Sequence, residues 1–137
     1  MISDYSLVMK PDRIADMKAD VCSRLNECGY PTDFCLNASL VVEDSANYIM
    51  AKNPDVEICA DIQMNRNGDG VQIVIIDEGA PYNPINDLAE KNIEISGEPG
   101  AVVVFGISAF VNYDRVLELN HLTLQMGLTQ KQCRNEG

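Results

Sequence analysis

The sequence has no tryptophan, a single histidine and no long uninterrupted apolar run. Its longest apolar stretch, residues 101–111, is interrupted by Gly106 and Ser108. It is too short to cross a bilayer, which takes ~20 apolar residues in a helix. The first residues also lack a basic region followed by an apolar one, which is the pattern of a signal peptide. We therefore expect no membrane association and a cytoplasmic location.

Basic residues are scarce as well, with 10 Lys and Arg against 21 Asp and Glu and a formal net charge of −11. A chain of this charge has no electrostatic attraction to nucleic acid or to anionic membranes. The same charge permits a basic protein partner. It also makes an anionic ligand such as ATP depend more strongly on Mg²⁺ and on local backbone dipoles.

The cysteine pattern excludes two other classes of protein. The 5 cysteines contain no C-x-x-C pair, and the lone His121 is distant in sequence from the clustered ones. Neither a disulfide framework nor a zinc site is therefore expected. We expect free thiols, some of them buried as small apolar side chains.

Two helices are indicated in the first half of the chain. Pro11 suits a first helical turn, and apolar residues then recur at spacings of three and four up to Gly29. Thr32 or Asp33 is expected to cap the second helix, which runs to about Lys52. Both helices are amphipathic, which predicts that they pack on a sheet.

Strands are indicated in the rest of the chain. Residues 56–64 alternate between apolar and polar, which predicts a strand with one buried face. A turn at 65–70, rich in Asn, Gly and Asp, leads into an apolar and therefore central strand at 71–76. The other expected elements are an edge strand at 6–9, a mixed segment at 85–95, a loop at 96–100, a buried helix at 101–112 and a hairpin of 115–119 and 122–126 that turns at Asn120-His121.

These elements predict one α+β domain over residues 1–128, followed by a polar tail at 129–137. The expected architecture is a two-layer sandwich, in which helices cover one face of a mostly antiparallel mixed sheet.

The first candidate for chemistry lies on the second helix. Glu43 and Asn47 share a helical face with Leu36, Leu40 and Met50, so they interrupt an apolar stripe. Side chains four residues apart can converge on a hydrated Mg²⁺ or on an attacking hydroxyl. The alternative is structural: Asn47 bonds to a neighbouring loop and Glu43 extends to solvent.

The second candidate follows the apolar strand at 71–76. Asp77 can accept a hydrogen bond from an exocyclic amine, and Gly79 lets a flat ring approach the backbone. Pro81 comes soon after them. The alternative is an Asp that organises a turn, because Asp, Gly and Pro all favour turns.

The two motifs together resemble those of the GHKL ATPase superfamily, named for gyrase, heat-shock chaperones, histidine kinases and mismatch-repair ATPases. The helix motif E-x-x-x-N is matched by Glu43 and Asn47. The strand motif D-x-G-x-P-[FY]-x-P is matched by Asp77, Gly79 and Pro81 and then by Tyr82 and Pro84. Its aromatic ending is similar to that of the small bacterial anti-sigma-factor serine/threonine kinases, and the likeness covers residues 5–126.

The resemblance implies a role for each matched residue. Glu43 would be the general base, Asn47 the Mg²⁺ ligand and Asp77 the acid that reads adenine, with Gly79 beside the ring. It also implies the GHKL fold, ATP and Mg²⁺ as cofactors, and phosphoryl transfer to a serine of an anti-sigma-factor antagonist. A sigma factor held inactive, and so regulation of transcription, is implied as well, as is a homodimer.

The second glycine box of the family is altered in this chain. Gly97 and Gly100 match it, whereas Pro99 removes an N–H donor and Val102 replaces an expected glycine. Three interpretations stay open: a kinase with an unusual lid, a nucleotide binder without turnover, and a pseudo-ATPase that only binds protein. An excised histidine-kinase domain and an unrelated α+β domain are further alternatives. We expect an anti-sigma-factor-like regulatory protein whose ATP turnover is weakened or lost.

Overall fold

The computed structural model describes residues 2–82 and 110–128. These residues form an α+β fold with two helices and a five-stranded antiparallel sheet. The elements in order are β1 (Ser3–Met9), α1 (Ile14–Glu27), α2 (Thr32–Lys52), β2 (Ile58–Asn67), β3 (Gly70–Asp77), β4 (Phe110–Val116) and β5 (Leu119–Met126). The predictions for 85–95, for the loop at 96–100, for 101–109 of the third helix and for the tail lie outside the described residues.

The sheet has the strand order β1-β2-β3-β5-β4, so β3 is central, as its apolar sequence predicts. In β2, Ile58, Ala60, Ile62 and Met64 are buried and the residues between them are more exposed, which confirms the alternation. The alternation does not extend back to Val56, which precedes the strand and is 64% exposed.

The first helix follows the expected pattern. A 3-10 turn begins at Pro11, and α1 then buries Met17, Val21 and Leu25 against the core. The helix ends at Glu27, two residues before Gly29, whose φ of +95° favours glycine.

The second helix corrects two predictions. Its N-cap is Pro31, without a side-chain cap, and the carboxylate of Asp33 accepts the N–H of Phe34 inside the first turn. The face predicted to meet the core is the outer one: Leu36 and Leu40 are 54% and 40% exposed. The physical reason is that the opposite side of α2, which includes Phe34, Ala38 and Val42, is also apolar and packs into the core. An apolar spacing on such a helix does not single out one inward face.

The last hairpin also differs from its prediction. The turn is Leu117-Glu118, whereas Asn120 and His121 lie within β5. The reason is that Asn120 alternates with Leu122 and the apolar residues after it on the face that meets the core. In addition, residues 110–112, expected to end a helix, belong to β4.

A buried tyrosine joins the helices to the sheet. The hydroxyl of Tyr30, in the connection between α1 and α2, donates to the carbonyl of Gly70 at 2.9 Å. Arg66 on β2 lies over the ring of Tyr30 and donates to the carbonyl of Cys28 at 2.9 Å. The α1–α2 connection is therefore bound directly to the β2–β3 hairpin.

Candidate functional site

The carboxylate of Asp77, at the end of β3, is 1% exposed and accepts hydrogen bonds from its own chain. The backbone N–H of Gly79 and the side-chain amide of Asn120 donate to Oδ1, each at 2.9 Å. The hydroxyl of Tyr82 donates to Oδ2 at 3.2 Å. Both carboxylate oxygens are thus occupied by groups of residues 79–82 and of β5, as a turn-organising Asp requires.

The neighbouring hairpin holds this turn in place. Asn120 is fully buried, and its amide also donates to the carbonyl of Ala80 at 3.0 Å. The guanidinium of Arg115 donates to the carbonyl of Gly79 at 3.1 Å and to Oδ1 of Asn120 at 2.9 Å. Tyr113 completes the network, since its hydroxyl donates to Asn120 and accepts the backbone N–H of Tyr82. We call Asp77, Tyr82, Tyr113, Arg115 and Asn120 the Asp77 network.

Tyr82 fills the space beside Asp77 with an aromatic ring. It is 5% exposed, and its ring lies between those of Tyr48 on α2 and Tyr113 on β4, with centroid distances of 5.2 Å and 4.9 Å. Burial, and then the nearby Asp77 carboxylate, raise the pKa of the Tyr82 hydroxyl far above its ordinary value. The hydroxyl therefore stays protonated and remains a donor to Asp77 throughout the physiological range.

Gly79 is tightly packed by the side chain of Asn53, which directly follows α2. A Cβ atom at Gly79 would lie 2.7 Å from Nδ2 of Asn53, the residue that follows the helix. Oδ1 of Asn53 accepts the N–H of Ala80 at 3.0 Å. The amide of Asn53 therefore lies against Gly79 on the side from which a side chain would project.

Glu43 and Asn47 lie on the outer face of α2. Glu43 is half-buried and forms an ion pair with Lys18 of α1, with Nζ 3.3 Å from Oε2, while Asn47 is exposed. Within residues 2–82 and 110–128, no hydrogen bond or ion pair joins either side chain to the Asp77 network. Pro81 is exposed on the turn, and Gly97 and Gly100 lie outside the described residues.

Two contacts of the described residues stand in the way of ATP and Mg²⁺ at the predicted positions. An adenine amine could reach Asp77 only if Tyr82 moved away, and a cation at Glu43 would lie near the ammonium of Lys18. Residues 2–82 and 110–128 also contain no group of three His, Cys, Asp or Glu side chains that could hold a metal. Cys22, Cys28, Cys35 and Cys59, the cysteines in these ranges, are free thiols, as expected.

Sequence reasoning missed Asn53, Tyr113, Arg115 and Asn120 as parts of the site. One signal was available for Asn120: it occupies the first position of an alternation whose later members are apolar, so it faces the core. A polar residue at such a position needs hydrogen-bond partners. Arg115 and Tyr113 had no such signal, because their contacts depend on residues 79–82 folding against β4.

No protein-family model matches the chain, and no curated protein matches it significantly in sequence. No helix within the described ranges combines the length and apolar character required to cross a membrane.

Proposed function

We propose that this chain is an anti-sigma-factor-like regulatory protein that acts by binding and sequestering a protein partner, without needing nucleotide. Of the alternatives left open by the sequence, this is the pseudo-ATPase module. The observation that carries the proposal is the enclosed carboxylate of Asp77, which the chain's own donors occupy and which is 1% exposed.

The physical argument concerns what nucleotide binding would cost. Admitting adenine at Asp77 requires the Tyr82 hydroxyl to leave its acceptor and the buried ring to leave its aromatic neighbours. Breaking a buried hydrogen bond to a charged group costs about 1.5–3 kcal/mol, and exposing the ring adds about 1.5–3 kcal/mol. The adenine contacts would have to recover this energy before any net affinity appeared. A surface that binds protein bears no such cost.

The second candidate is the ATP- and Mg²⁺-dependent serine kinase, in which the chain phosphorylates the antagonist of a sigma factor. One observation favours it: Glu43 and Asn47 lie one turn apart on an accessible face of α2. In this alternative Tyr82 leaves Asp77 when nucleotide binds. It requires Glu43 to exchange Lys18 for a substrate hydroxyl.

Calorimetric titration with ATP and with ADP, each with and without Mg²⁺, separates the two candidates. We expect no saturable binding of either nucleotide up to millimolar concentration. The matched variant is Tyr82→Ala, which removes the ring beside Asp77 and gives adenine its best access. Saturable Mg²⁺-dependent binding of ATP to the native protein, lost in a folded Asp77→Asn variant, would overturn the proposal and favour the kinase.

The partner half of the proposal has its own test. Binding to a purified sigma factor and to an antagonist protein is measured by size-exclusion chromatography and anisotropy, with and without ATP-Mg²⁺. We expect a complex whose Kd is the same in both conditions. An affinity that changes tenfold with nucleotide, or the absence of a complex with either class of protein, would contradict it.

A further inference from the structure

The β4–β5 hairpin exposes three apolar side chains at its end. Leu117 is 91% exposed, and its strand neighbours Val116 and Leu119 are 44% and 36% exposed. Val116 pairs with Leu119 and Arg115 pairs with the core-facing Asn120, so Val116 and Leu119 lie on the open face of the sheet. A contiguous exposed apolar group of this kind commonly marks an interaction site.

The backbone makes Leu117 unusual for a second reason. Leu117 and Glu118 have φ values of +52° and +65°, so both central residues of the turn are left-handed. Two-residue turns of this kind favour Asn-Gly, and an L-residue with a branched side chain is disfavoured there. The β2–β3 hairpin, by contrast, has a glycine, Gly68, at its left-handed position. Neither burial nor backbone preference therefore accounts for a leucine at 117.

An acidic depression lies directly beside this hairpin on the open face. It has a volume of about 190 Å³ and reaches from β1 across the sheet to Leu119. Its walls include the apolar side chain of Ile76 and the carboxylates of Asp61 and Glu78. Glu118 adds a further exposed carboxylate at the turn. Asp61, Glu78 and Glu118 form no ion pair with any residue in 2–82 or 110–128.

We propose that this hairpin patch, made of Val116, Leu117 and Leu119 with the carboxylates of Asp61 and Glu78, binds a basic amphipathic segment of a partner protein. The inference rests on the proposed function and names the surface that would perform it. Charge complementarity selects the partner, since apolar side chains interspersed with Lys or Arg would satisfy both parts of the patch. A second copy would place acidic patches against each other in a chain of net charge −11.

The test is an NMR titration of the ¹⁵N-labelled protein with a peptide in which leucine alternates with arginine. A peptide in which leucine alternates with glutamate is the control for charge. We expect saturable shifts confined to 114–119 and to the amides of Asp61 and Glu78. Salt screens the charges, so the affinity should fall by about fivefold or more between 50 and 300 mM salt. The acidic peptide should not bind.

Two variants make the result specific to the patch. Leu117→Asn should lower the affinity for the arginine peptide about tenfold or more, as loss of a central apolar anchor does. Leu36→Gln, at an exposed leucine of α2, should leave its affinity unchanged. Equal affinity for native protein and Leu117→Asn, shifts spread over the whole surface, or no binding at all would overturn the proposal.

A stability measurement gives Leu117 an independent test. Asparagine tolerates the left-handed conformation, so Leu117→Asn should raise Tm by about 2–4 °C while it lowers the affinity for the arginine peptide. A lower Tm would mean that the leucine stabilises the fold, which would contradict its assignment to a partner. Nucleotide is absent from all of these measurements, so ATP binding could overturn the proposed function without changing their outcome.

Discussion

Tyr82 donates a hydrogen bond from its hydroxyl to Oδ2 of Asp77, across 3.2 Å and in a buried setting. The aromatic residue of the sequence motif therefore donates to the same carboxylate that the resemblance assigns to adenine. The two residues are five positions apart, so a short turn is enough to bring them together. Asp77 in this form is a residue that holds the fold, and its replacement has consequences for stability.

We expect Asp77→Asn to lower the free energy of unfolding by about 2–3 kcal/mol. One carboxylate oxygen becomes an NH₂ group, which cannot accept the hydrogen bonds that this oxygen now accepts. Urea unfolding followed by circular dichroism measures the change. Asp4→Asn is the control, since it makes the same chemical change at an exposed position of β1. An Asp77→Asn variant as stable as this control would show that the Asp77 network contributes nothing to folding.

We expect Tyr82→Phe to lower stability at neutral pH by about 1–2 kcal/mol, through the lost hydrogen bond. The pKa of Tyr82 is raised above its ordinary value of 10.0 by burial and by Asp77, so the unfolded chain releases this proton first as pH rises. The stability that the hydroxyl provides is therefore complete below pH 10 and declines above it.

The measurement is the difference in unfolding free energy between native protein and Tyr82→Phe from pH 7 to 11. This difference should be constant at first and should shrink above pH 10. Tyr5, whose pKa burial and Asp20 raise to about 12, is present in both proteins and cancels in the comparison. A difference that stays constant to pH 11 would contradict the buried contact.

Gly79 and Asn53 should show energetic coupling. Gly79→Ala brings a Cβ to 2.7 Å from Nδ2 of Asn53, so that side chain must move and lose its bond to Ala80. We expect each of Gly79→Ala and Asn53→Ala to cost about 1–2 kcal/mol, and the double variant to cost clearly less than their sum. A double-mutant cycle in urea provides the coupling energy. Additive costs would mean that the two positions do not touch.

Alanine substitutions at two glycines near the end of β5, one in β3 and one directly after β5, should have different effects on stability. A Cβ at Gly70 would lie 2.0 Å from the backbone carbonyl oxygen of Met126, whereas a Cβ at Gly127 would meet nothing within 4 Å. Gly70→Ala should therefore cost more than about 4 kcal/mol or prevent folding, and Gly127→Ala should change stability by less than about 0.5 kcal/mol. Thermal unfolding of both variants checks the register of β3 on β5.

The sequence predicts the sheet better than it predicts the site. The alternation in β2 and the apolar run of β3 report burial directly, because a strand has only two faces. On α2, apolar residues occupy most of the circumference. The spacing alone therefore could not show whether the stripe through Leu36 and Leu40 or the opposite side of the helix faces the core. Glu43 and Asn47 share that stripe, so they lie with Leu36 and Leu40 on the outer face of α2.

The last hairpin shows how tertiary contacts override local preference. Asn120 is a good turn residue by itself. Inside β5, however, its buried amide has three acceptors around it, and these hydrogen bonds stabilise the fold more than a turn position would. The turn then moves to Leu117-Glu118, two residues with no turn preference. Such a displacement cannot be read from single-residue tendencies, because it is decided by Asp77 more than forty positions away.

The bond from Tyr30 to Gly70 has a consequence for how the molecule opens. With Arg66 bridging to Cys28, it clamps the α1–α2 connection to a hairpin about 40 residues later in the chain. Neither segment can unfold alone without breaking the clamp, so both should open in a single step. Amide hydrogen exchange at the end of α1 and at the β2–β3 turn would then report one shared opening free energy, and the helices and sheet would behave as one cooperative foldon.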